Sequence, residues 1–204
     1  MGVKPMDTIC QKIRKYTEYR IQKLLKSPEN AARASMARLR RGIGHTPGEL
    51  TELWSEFLLD MPEEFYGHGT AVSHAEWAIY TALTMFALHQ QSKSRDSEPM
   101  HKPGDSLGRA AGMLIEGKDD REREEARERI ARRFYPVATA EDMTELSHHL
   151  RGLISLLRSK GIPMDYAQLA VDLYLFQNPD TADRVKLRWG EDFSYIQSKS
   201  DNNE

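Results

Sequence analysis

Apolar positions recur along this chain mostly at helical spacing, most clearly between Thr144 and Phe193. Leu146, Leu150, Leu153, Ile154 and Leu157 share one face of a helix that turns about 100° per residue, and His148, Arg151, Ser155 and Arg158 fall on the other. Gly161 predicts the end of that helix, Pro163 prevents its continuation, and Asp165 is placed to cap the next. The next helix carries Leu169, Leu173 and Phe176 in register. Asn178-Pro179 breaks it, and a third segment brings in Val185, Leu187 and Trp189. Three short helices with tight turns predict a bundle whose apolar stripes face inward and whose arginines stay outside.

The same periodicity orders the rest of the chain. Thr8 to Lys26 reads as a helix with a partial stripe from Ile9, Ile13, Tyr16, Ile21, Leu24 and Leu25. It is either packed on the body or a mobile arm. Ala31 to Arg41 is a small-residue helix anchored by Met36 and Leu39 and ended by Gly42 and Gly44. Pro47 to Met61 predicts a helix that turns Leu50, Leu53, Trp54, Phe57 and Leu58 inward, followed by a loop to Gly69. Ser73 to Gln91 is apolar around most of its circumference, as a central helix is, and Ser73 with Glu76 forms a capping box. Ser92 to Asp105 is a polar loop, and Ser106 to Glu116 a short helix whose small residues permit close approach. Gly117 to Asp120 is the expected domain boundary, separating residues 1–117 from residues 118–204. Beyond it, Asp119 to Arg133 mixes six acids with six arginines, and pairs such as Glu125–Arg129 support an exposed helix by about 0.3–0.5 kcal/mol each. Pro136 is expected to stop that helix, and Thr139 to open the long one that follows. The fold class is therefore all-α, two small helical bundles joined by a short linker.

Composition narrows the function classes. Hydrophobic residues make up 39% and charged residues 29%, as in a polar globular protein, and no apolar run is long enough for a membrane helix. The N-terminus lacks the apolar core of a signal peptide, and Cys10 is the only cysteine, so the expectation is a cytoplasmic protein without disulfides. A net charge of −2 conceals an asymmetry: residues 1–45 hold eleven Lys/Arg against Asp7, Glu18 and Glu29. A basic first quarter suits a local anionic partner.

The strings HHLRGLISLLRSKGIPMDYAQLAVDLYLFQNP and VKLRWGEDF add a further signal. With ARASMARLRRGIG, EWAIYTALTMFALHQQ, PMH, SLGRAAG and ARRFYPVATAEDMTELSHHLR upstream, they occur in an order that resembles the small subunit of Cascade, the type I-E CRISPR surveillance complex (the CasB family). The resemblance spans roughly Ala31 to Tyr195 and departs at Glu191, where that family often has Arg. It implies a non-catalytic structural subunit of antiviral defence. It implies two copies head to tail beside the backbone subunits and the large subunit, contacting guide RNA, target DNA and the displaced single strand so as to stabilise the R-loop.

Phosphate contacts are expected from Arg33, Arg38, Arg40, Arg41, Arg109, Arg132, Arg133, Arg151, Arg158, Lys186 and Arg188. A guanidinium offers phosphate oxygens a planar fork of donors. Much Arg with few free aromatics favours backbone contact over base reading. Catalysis finds less support. Glu145-x-x-His148 and Glu98-x-x-His101 have the spacing of di-iron ligands, but Pro99 keeps the second pair off a helix and the first lies toward a polar face. His74-Ala75-Glu76 lacks the Cys pair of a zinc deaminase, and no phosphate loop, dinucleotide fingerprint or nucleophile elbow is present. No cofactor and no metal are expected.

Overall fold

In the computed structural model, residues 5–200 of the 204 are described. They form an all-α protein. The helices are α1 (Pro5–Lys26), α2 (Glu29–Arg41), α3 (Trp54–Phe57), α4 (His74–His89), α5 (Leu107–Gly112), α6 (Asp120–Thr139), α7 (Met143–Lys160), α8 (Tyr166–Phe176) and α9 (Pro179–Ser200). No strand is formed among the described residues, although His101 bridges to Met164.

α4 is the axis. Ser73 Oγ accepts from the Glu76 N–H, and the Glu76 carboxylate accepts from the Ser73 N–H, so the box read in the sequence is closed. Nearly every α4 side chain is buried because α2, α7 and α8 surround it. α7 lies beside α4 and runs the same way: Trp77 and Thr144 line one pocket, and Arg158 donates to Gln91 at the far end. α8 runs back along α4, with Tyr166 against His89 and Gln177 donating to the His74 carbonyl. The stripes predicted for α7 and α8 are buried. Gly161 ends α7 at φ 65°, a conformation that costs glycine little. Asp165 caps α8 by accepting from the Gln168 N–H. α5 crosses α9 closely at Gly108, where a Cβ would meet the Trp189 carbonyl oxygen at 2.2 Å.

α1 is packed on the body. Ile13, Tyr16, Ile21 and Leu24 are buried, and the helix lies against α8 and α4. Arg20 reaches the carbonyls of Ser55, Glu56 and Leu59, and Arg14 meets the buried Asp165 carboxylate at 2.5 Å. Arg95 donates to the carbonyls of Leu24, Leu25 and Ser27, closing the C-terminal end of α1. Helices on both sides of the Gly117–Asp120 link contribute to one apolar core.

Three local expectations are corrected. Pro47 to Met61 is not one helix: Gly48 adopts φ 92°, and only a 3-10 turn and the four-residue α3 form. There Leu53, Phe57 and Met61 take the inner face, which leaves Trp54 half exposed rather than in the core. Pro136 lies inside α6 rather than ending it, because burial of Val137 holds the final turn in place. Thr139 belongs to that turn, and α7 is opened instead by Asp142, whose carboxylate accepts from the Thr144 and Glu145 N–H groups at 2.8 Å.

Candidate nucleic-acid interface

The end of α2 splits its arginines. Arg38 turns inward, its Nε 2.8 Å from the Glu56 carboxylate, which is buried. Arg41 pairs with Glu52 at 2.8 Å, and Arg33 with Glu29 one turn back at 2.6 Å, both in the open. Arg40 differs. It points along the last turn of α4, donates to the Ala87 carbonyl at 3.3 Å and forms no ion pair among the described residues. Burial, and then the nearby charge of Arg158, lower its pKa from the ordinary value. It nonetheless stays a cation. Arg158, at the end of α7, donates to the neutral Gln91 side chain at 2.7 Å.

Arg40 stands on a cleft of about 610 Å³ that also takes in the cations Arg33, Lys93 and Arg95, the neutral Met36 and Gln91, and the acids Glu29 and Asp96. The loop after α4 forms its wall. Gln90 holds that loop: its amide donates to the carbonyls of Lys93, Ser94 and Glu98, and its oxygen accepts from the Met100 N–H. Sequence reading missed Lys93 and Arg95. The signal available was the basic SKSR string directly after the His-Gln-Gln end of α4. Lys93 lies 3.7 Å from Glu98, and Arg95 is occupied at the end of α1.

The other candidates lie elsewhere. Arg133 and Arg151 are exposed on α6 and α7, and neither side chain meets a partner among the described residues. Arg109 is half-buried on α5 and is likewise without a side-chain partner among them. Arg132 bonds to the Glu128 carbonyl at 3.2 Å and lies 3.5 Å from its carboxylate. Lys186 sits over the Phe176 ring and 3.5 Å from Asp183. Arg188 meets the buried Asp172, which also accepts from Trp189 Nε1 at 2.7 Å and from Gln168 Nε2 at 2.6 Å. Burial raises the Asp172 pKa to about 6, with Arg188 opposing it.

The eleven candidates thus divide by what they touch. Arg33, Arg38, Arg41, Arg132, Lys186 and Arg188 face carboxylates. Arg40 and Arg158 come near each other from distant parts of the chain, and each donates to a neutral acceptor. Two neighbouring cations that form no ion pair among the described residues suit a phosphate.

The candidate metal pairs are spent otherwise. His101 is buried, its Nε2 2.6 Å from a Glu18 oxygen and its Nδ1 accepting from the Tyr166 N–H. Glu145 accepts from the Glu141 N–H and faces His149 at 3.6 Å. Among the described residues, no cluster of three or more His, Cys, Asp or Glu is placed to hold a metal ion. No helix is long and apolar enough to cross a membrane among them.

Comparison with known proteins identifies a family. Residues 35–193 match the family described as CRISPR-associated protein Cse2. Among solved structures, the crystal structure of CasB from Thermobifida fusca is similar, with 33% sequence identity and a TM-score of 0.63. The match covers 92% of this chain and 96% of that one. No curated protein matches the chain.

Proposed function

We propose, since the chain belongs to the CRISPR-associated Cse2 family of small structural subunits of type I-E Cascade, that it grips nucleic-acid backbone and cuts nothing. The strands it meets within the complex are the guide RNA, the target DNA and the displaced single strand, and a second copy of the chain lies beside it. Its setting is the cytoplasm.

One observation carries this reading: Arg40 and Arg158 lie close enough to repel each other, and neither forms an ion pair with a carboxylate among the described residues. Arg33 and Lys93 also line the cleft, each beside a carboxylate, and cations outnumber acids in its lining. Arg133, Arg151 and Arg109 offer further donors. Contacts of this type read charge and spacing rather than bases, so any single strand would be held with similar strength. Exchange of a DNA duplex for an RNA–DNA heteroduplex is nearly balanced in free energy. A few such contacts to the displaced strand or to the heteroduplex are therefore enough to tip R-loop formation forward.

The test is a salt titration of single-stranded DNA and RNA binding by the purified protein. Each phosphate contact removed should reduce the slope of log affinity against log salt by about 1. The slope should therefore fall by about 2 in a variant carrying Arg40→Ala and Arg158→Ala. A slope unchanged from the parent protein would overturn the assignment of these two residues.

A further inference from the structure

The opposite end of α4 and α7 carries a second concavity. A groove of about 770 Å³ opens between the start of α4, the α6–α7 turn and the start of α9. Val72, Trp77, Met143, Phe176 and Ala182 give it an apolar lining. Trp77 packs on the core but is not fully buried, so part of its ring system lines the groove. The rim is predominantly acidic. Glu141 and Asp142 line it, and Asp180 follows Pro179, which also lines it. Asp142 is engaged as the cap of α7, but the Glu141 and Asp180 carboxylates are exposed and meet no partner among the described residues. The Lys186 ammonium is the main opposing charge, and Asp183 lies 3.5 Å from it.

Such a rim repels a polyanion, and the lining asks for apolar side chains. We infer that this groove docks a segment of a neighbouring protein subunit in which a bulky apolar side chain is flanked by Lys or Arg. The apolar side chain enters against Val72 and Trp77, over a floor that includes the buried Phe176, and the flanking cations meet Glu141 and Asp180. An apolar anchor in a pocket supplies affinity, while charges at the rim fix register and exclude wrong partners. The inference rests on the reading of the chain as a Cascade subunit, because that reading supplies the neighbours. It assigns protein contact to one end of the α4–α7 pair and leaves the other end to nucleic acid.

The experiment places the photo-crosslinking residue p-benzoyl-phenylalanine at Val72 and assembles the full Cascade complex with its guide RNA. Irradiation should yield an adduct to another protein subunit, on a peptide with an aromatic or branched aliphatic residue beside Lys or Arg. The same complex carrying Glu141→Lys and Asp180→Lys should give about fivefold less adduct, since like charges then face each other. Those two substitutions should not weaken single-stranded DNA binding by the free protein, and its far-UV circular dichroism should match the parent, which shows that it is folded. Adducts to nucleic acid, to a second copy of this chain, or to nothing in a complex that contains the protein would overturn the groove assignment alone. If the protein fails to enter the complex in its unaltered form, the Cascade reading falls and the groove assignment falls with it.

Discussion

The two ends of the α4–α7 pair are made of the same elements and carry opposite charge. At the N-terminal end, Glu76 and Asp142 accept from backbone N–H groups. At the C-terminal end, Arg40 donates to a backbone carbonyl and Arg158 to a side-chain amide. Helix dipoles favour this arrangement, with anions at the start and cations at the end. Parallel neighbours add their dipoles where antiparallel ones would cancel them. Part of the basic cleft is therefore what any such pair of helix ends attracts. What distinguishes it is that its cations keep unused hydrogen-bonding capacity after the helix ends are satisfied. At the acidic end the capping carboxylates are consumed, and Glu141 and Asp180 remain without a partner among the described residues.

Disrupting the seam that joins the ends should have the largest effect. Phe86 is fully buried in α4, against the Tyr166 ring. Phe86→Ala should destabilise the fold by about 3–5 kcal/mol, read from urea unfolding, and weaken binding at both ends together. Loss at only one end would show that they are independent.

The two ends also titrate in opposite senses. Burial lowers His89, at the basic end, to a pKa of about 4 from 6.5. Burial raises Asp172, one turn back from the groove's Phe176, to about 6 from 3.8. As pH falls from 6.5 to 4, the unfolded chain takes up the His89 proton first, which lowers stability. Over nearly the same range the folded chain takes up the Asp172 proton first, which raises it. Each swing is roughly 2–3 kcal/mol, so the two nearly cancel. Urea midpoints of Asp172→Asn across this range should fall with acidification more steeply than those of the parent protein. Parallel curves would refute the opposition.

The double substitution of Arg40 and Arg158 tests the cleft alone. Besides the loss of about 2 in salt slope, stability should change by no more than about 1 kcal/mol, because relief of the repulsion between the two cations offsets the loss of their contacts with the helix ends. The smallest effect belongs to Arg33, exposed and paired with Glu29 one turn away. Arg33→Ala should change stability by less than about 0.5 kcal/mol in the same urea assay.

Much of the frame was legible because local signals agreed with packing. Ser73 with Glu76, Gly161 and Asp165 each did in the fold what their residue types predict. The α7 stripe was buried as its period required. The failures share a cause. Pro136 and Trp54 were read by local rules, and long-range packing decided both: Val137 holds Pro136 within α6, and the Leu53–Phe57–Met61 face displaces Trp54 outward. The site was less legible still. Charge picks out cations but not their partners, and no spacing in the sequence reveals that Arg38 faces Glu56 while Arg40 faces Arg158. Those meetings join residues 18 and 118 positions apart, and only the fold decides them.

The Gln90 carboxamide has a practical consequence for anyone re-engineering this protein. Its four bonds tie down the stretch from Lys93 to Met100, and inside it the Ser97 and Glu98 N–H groups bond back to Ser94. A tag or fluorophore-bearing insertion spliced between Asp96 and Ser97 would sit on the brim of the cleft and break that small turn, while Gln90 still holds the chain on either side of it. The same graft made between Lys93 and Ser94 would sever the tether.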